Sequence, residues 1–131
     1  MRKSVFILCM GLVMAITACG TTTTPVITKG PVTFTFVNGK LTGSGGATSY
    51  TIKAGIAVQF VDPASGVPHF LATGTNGIYF SESNAPRELS ANPGKEIDPG
   101  QTVTIPFTTP GTFHITCTIH TMQNVTVVVV P

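Results

Sequence analysis

Val32-Thr33-Phe34-Thr35-Phe36 alternates strictly, with three apolar residues on one face and two threonines on the other. That is the period of a half-buried β-strand. Shorter segments of the same character recur at Tyr50 to Lys53, Ala57 to Val61, Thr102 to Thr108, Thr112 to Thr118 and Val125 to Val130. Turn chemistry separates them: Asn38-Gly39, Gly43 to Gly46, Asp62-Pro63, Pro93-Gly94, Pro99-Gly100 and Pro110-Gly111, pairs that supply positive φ or a fixed φ where a chain reverses. Short strands spaced by about 8 to 12 residues predict an all-β sandwich or barrel. The run Val127 to Val130 is apolar on both faces, which predicts a strand inside a sheet rather than at its edge. Ser81 to Asn92 has no strand pattern and is expected to hold a short helix or a long loop.

The N-terminus follows different rules. Arg2 and Lys3 precede an apolar stretch from Val5 to Ile16, and small residues follow at Thr17 and Ala18. A charged region, an apolar region and a small-residue cleavage site make an export signal. The apolar stretch is shorter than the roughly 20 residues of a spanning helix. Ile16-Thr17-Ala18-Cys19 resembles the lipobox of bacterial lipoproteins, which implies cleavage before Cys19 and lipidation of that cysteine. The alternative is an ordinary secretory signal with a chance cysteine. Thr21 to Thr24 and Pro25 then read as a tether without core-forming side chains. The expected organisation is therefore a signal peptide over 1–18, a lipidated N-terminus and tether over 19–31, and one domain over 32–131. Removing 18 of 131 residues leaves 113, enough for one core and too few for two.

Charge narrows the partners. Once Arg2 and Lys3 are removed, the 7 basic residues become five against 5 acidic ones, so the exported chain is formally neutral. A nucleic-acid partner, whose affinity rests on cationic contacts to phosphate, is not expected. Of the 3 cysteines, Cys9 lies in the signal and Cys19 is assigned to lipid, which leaves Cys117 with no disulfide partner. In an oxidising envelope compartment a lone thiol is buried, reactive by purpose, or bound to a metal.

The residues around Cys117 favour the last of these. In a strand over Thr112 to Thr118, Phe113, Ile115 and Cys117 share the core face, and His114 faces away and is excluded from the site. His120 and Met122 follow within five residues. Thiolate, imidazole and thioether together select soft or borderline ions, and two histidines, one cysteine and a weak axial methionine make the blue-copper arrangement. The second histidine is expected to be His69, in the turn Gly66-Val67-Pro68-His69-Phe70 after the strand Ala57 to Val61.

Two longer stretches resemble the cupredoxins, the plastocyanin and amicyanin family. Lys53-Ala54-Gly55-Ile56-Ala57-Val58-Gln59-Phe60-Val61-Asp62 with Pro68-His69 is similar to the stretch before that family's first ligand. Pro99-Gly100-Gln101-Thr102, then Phe107 to Phe113 and Cys117-Thr118-Ile119-His120, resemble its C-terminal signature. The resemblance covers about residues 32 to 131. It implies a Greek-key β-sandwich of seven to eight short strands and one copper ion. His69, Cys117 and His120 would be the equatorial ligands, with Met122 as the long axial one. Two departures stand out. The spacing Cys117-x2-His120-x-Met122 is one residue shorter than the familiar Cys-x2-His-x2-Met, so the axial place falls to Met122, to a backbone carbonyl near Val67, or to water. Phe70 stands where the family usually has an asparagine that ties the two ligand loops together.

The resemblance implies an electron carrier and not an enzyme. Its expected partners are envelope redox proteins that dock transiently on the apolar segment Ile119 to Met122. The protein is expected to be a monomer, held on the periplasmic or extracellular face of an envelope membrane by its lipid alone. The competing reading is Cu(I) trafficking, storage or sensing, which the same soft ligands would serve. A copper oxidase or reductase would need more histidines than the 3 the chain has.

Overall fold

The structure is a computed structural model that describes residues 26–64 and 66–131. The expected signal peptide and lipidation site, Cys19 included, lie outside the described residues. Eleven strands occur among the described residues: β1 (Ile27–Thr28), β2 (Val32–Val37), β3 (Lys40–Thr42), β4 (Ser49–Lys53), β5 (Ala57–Val61), β6 (His69–Thr75), β7 (Ile78–Tyr79), β8 (Lys95–Ile97), β9 (Thr102–Pro106), β10 (Gly111–Cys117) and β11 (His120–Val130). They form two sheets. One runs β3-β2-β5-β9; the other runs β1-β4-β11-β10-β6-β7, with β8 also paired to β6. Among the described residues no helix is long and apolar enough to cross a membrane.

The predicted alternation packs the two sheets together. Val32, Phe34 and Phe36 of β2 are buried while Thr33 and Thr35 are not, and Val58 and Phe60 of β5 continue the same face. Phe34 stacks on Phe60 with centroids 5.8 Å apart, and Phe107 meets Phe113 at 5.5 Å. From the other sheet, β10 and β11 contribute Phe113, Ile115, Val125, Val127 and Val129. Strand β11 lies between β4 and β10, in the interior position its valines predict.

Three features depart from the sequence expectations. The strand count exceeds seven to eight because β1, β3, β7 and β8 have only two or three residues each, too few to show a period of two. The larger sheet also begins before residue 32, since Ile27 and Thr28 pair in parallel with Thr51 and Ile52. Lastly, His69 does not sit in a turn: it opens the seven-residue strand β6, in which Leu71, Ala72, Thr73 and Gly74 are all buried. Burial on both faces erases alternation. The segment Ser81 to Asn92 joins the core rather than a sheet. It holds one 3-10 turn at Arg87–Leu89, buries Leu89, and accepts the Thr73 hydroxyl at the Leu89 carbonyl (3.4 Å), beside the shorter bond to the Phe80 carbonyl (2.7 Å).

Candidate metal centre

Pairing of β10 with β6 sets the site. Cys117 lies opposite Leu71 in an antiparallel register, so the two share a face, and His69, two residues before Leu71, shares it as well. Diagonal neighbours across an antiparallel pair are within reach of long side chains. A main-chain hydrogen bond from Thr118 N to the Phe70 carbonyl (2.9 Å) extends this pairing past the cysteine. Phe70 thus takes part in tying the two ligand segments through its backbone, without the asparagine that the sequence lacks there.

The hairpin from β10 to β11 brings the third donor. A register irregularity at Thr116/Cys117 pairs Cys117 with His120, and a bulge of this kind re-aims the side chains beside it. Asn124 secures the turn by donating from Nδ2 to the Thr121 carbonyl at 2.9 Å. Its Oδ1 accepts from the Thr116 hydroxyl (2.8 Å) and from Asn76 N (2.7 Å). The sequence analysis did not single out Asn124; a polar residue out of phase with the buried valines of β11 was its only signal.

These elements place Cys117 Sγ 3.7 Å from His69 Nδ1 and 3.4 Å from His120 Nδ1. All three donor atoms lie within 4.8 Å of one another. Cys117 and His69 are buried, and His120 is half-buried at the rim. The His69 ring is clamped against Phe36, with centroids 3.7 Å apart and planes 4° from parallel. Its second nitrogen, Nε2, faces Asp62 Oδ2 at 3.8 Å, a charge contact longer than a hydrogen bond. Carboxylates beside the free nitrogen of a ligating imidazole fix its tautomer and orientation. One thiol and two imidazoles, each offering Nδ1, are a donor set that fits copper or zinc.

Met122, expected as the axial ligand, is turned out of the site. It is 73% exposed, whereas Gln123 beside it is 2% exposed. The reason is strand parity. From Gln123 onward β11 buries Gln123, Val125, Val127 and Val129, and Met122 belongs to the opposite face. His114 faces outward as expected and pairs with Glu82, Nδ1 to Oε1 at 2.6 Å.

Burial governs the titration of the site. Desolvation holds His69 below its ordinary value of 6.5, nearby His120 adds to this, and Asp62 opposes it. Desolvation likewise raises the Asp62 carboxyl, offset by His69. A histidine whose folded pKa is depressed contributes stability that is complete above the unfolded value and is lost as pH falls through the folded one. In the metal-free chain, the His69 ring protons are therefore expected to titrate with an NMR midpoint below 6.5. Stability in urea should decline as pH drops through that window. A His69 midpoint at or above 6.5 would contradict this.

No protein-family model matches the chain, and no curated protein does. The fold is similar to that of solved amicyanin structures. Amicyanin from Paracoccus versutus is 23% identical, with 76% of this chain and 81% of that chain covered and a TM-score of 0.52. A methionine-to-glutamine mutant of amicyanin in its Cu(I) form is 21% identical over 77% and 83% of the two chains, with a TM-score of 0.55. A reduced proline-to-phenylalanine mutant gives 20%, with 77% and 83% covered and a TM-score of 0.53. Two packed sheets of this topology, with a His69-Cys117-His120 group able to hold a metal ion at one end, give this chain a cupredoxin-type fold.

Proposed function

We propose that the chain is a one-electron carrier that holds a single copper ion through His69 Nδ1, Cys117 Sγ and His120 Nδ1. The observation that carries this reading is the convergence of those three atoms within 4.8 Å. Copper bound there supplies the Cu(I)/Cu(II) couple. The chain's own contribution is rigidity and exclusion of water. Cys117 and His69 belong to paired strands of one sheet, and Phe36 holds the imidazole plane. Ligands that cannot move between oxidation states keep the reorganisation barrier low.

His120, half-buried at the rim, is the point where an electron leaves or enters. Around it Val67, Ile119 and Met122 are exposed, which supports a transient apolar contact with an envelope redox partner. Solved amicyanin structures of similar fold, one in a reduced state and one in a Cu(I) form, support a redox-active copper site. At the other end of the chain, Ile16-Thr17-Ala18-Cys19 supports export and anchoring through lipid on Cys19. The protein then works as a tethered monomer at an envelope membrane.

Two outcomes check this reading. With Cu(II) added, the wild type should show an intense visible thiolate-to-copper band and a narrow EPR hyperfine splitting, and Cys117→Ser should lose both. A colourless protein that binds only Cu(I) would favour trafficking instead, and a band that survives in Cys117→Ser would overturn the ligand set. In growing cells, labelled palmitate should follow the wild type and not Cys19→Ser. Label on the variant, or none on the wild type, would remove the anchor.

A further inference from the structure

Beside the three donors, two buried oxygens lack a hydrogen-bond partner among the described residues: Asp62 Oδ2, which faces His69 Nε2 at 3.8 Å as a charge contact, and Gln123 Oε1. A cleft of about 290 Å3 opens beside them, lined by Phe36, Asp62, Val67, His69, His120 and Gln123. Gln123 is buried, yet its Oε1 has no hydrogen-bond partner among the described residues. A buried amide oxygen without a partner is costly, and each such atom in a folded protein calls for an explanation such as an unseen ion. The parity of β11 aims this side chain inward, and it lines the same cleft as His69 and His120.

The geometry points to Gln123 Oε1 as the fourth, axial donor to the metal held by His69, Cys117 and His120, in the place expected of Met122. This inference rests on the copper reading above. An amide oxygen is one of the weak axial donors such trigonal sites accept. Being harder than a thioether, it stabilises Cu(II) relative to Cu(I), so the site is tuned to a lower reduction potential than a methionine would give. Met122 is then free to lie on the docking surface.

The test compares copper-loaded wild type, Gln123→Leu, Gln123→Met and Met122→Leu, each as the mature chain purified in mild detergent. Absorption, EPR, reduction potential, and separate Cu(I) and Cu(II) affinities are measured. Gln123→Leu should keep the thiolate-to-copper band, alter the EPR spectrum, raise the potential and lower the ratio of Cu(II) to Cu(I) affinity by about tenfold or more. Gln123→Met, which nearly keeps the side-chain volume, should shift in the same direction by less; it decides the matter if the leucine variant does not fold. Met122→Leu should match the wild type. A wild-type band that persists with unchanged spectra and potential in both Gln123 variants overturns the axial assignment alone, as does a shift found only in Met122→Leu. A Gln123 that merely steadied His69 would lower both affinities together and leave their ratio unmoved, which also overturns it. Absence of the band in the wild type overturns the copper reading and this inference with it.

Discussion

Everything at the site depends on one register, the antiparallel pairing of Cys117 with Leu71. Because side chains alternate along a strand, this single pairing places the thiol and the His69 imidazole on the same face without any flexible loop between them. A slip of one residue would send His69 to the opposite face. The register is held by the apolar content of the strands themselves: Leu71, Ile115 and Cys117 are fully buried between the sheets. The hydrophobic core and the candidate metal centre are therefore one continuous structure, with Phe36 serving both as a core ring and as the platform for His69.

Burial then sets the chemistry. His69 is desolvated strongly enough to disfavour its protonated form, so its nitrogen is free to bind a metal at neutral pH without first losing a proton. Asp62 sits behind it, a buried carboxylate whose Oδ2 lacks a hydrogen-bond partner. An acid there counters the positive charge of a metal–imidazole unit, as outer partners of metal ligands do. His120 is the opposite case. It lies at the end of a hairpin pinned by Asn124 and Thr116, partly open to solvent, and carries the contact with the outside.

Much of this was legible in the sequence, and the parts that were not have physical causes. Alternation at Val32 to Phe36 and at Phe113 to Cys117 identified the core face, the inward thiol and the outward His114. Strand β6 escaped because Leu71 and Thr73 on one face and Ala72 and Gly74 on the other are all buried, so no solvent-facing polar residue marks a period of two. Met122 misled because its chemistry suits copper, while its parity does not. The third residue after His120, where the resembled ligand loop carries methionine, is Gln123, and it is in phase with Val125, Val127 and Val129. Counting outward from those valines, rather than looking for a thioether, singles it out. The missing asparagine at Phe70 was readable as a departure, but its replacement by a main-chain bond from Thr118 was not, since backbone pairing leaves no mark on residue identity.

The central claim is that the chain holds copper with the same rigid ligands in both oxidation states. Copper K-edge X-ray absorption on the oxidised and reduced protein tests it most directly. The account predicts one short copper–sulfur shell from Cys117 and two copper–nitrogen contacts from His69 and His120 in both states, with nearly unchanged distances. Absence of the short sulfur shell, or departure of a ligand on reduction, would contradict it.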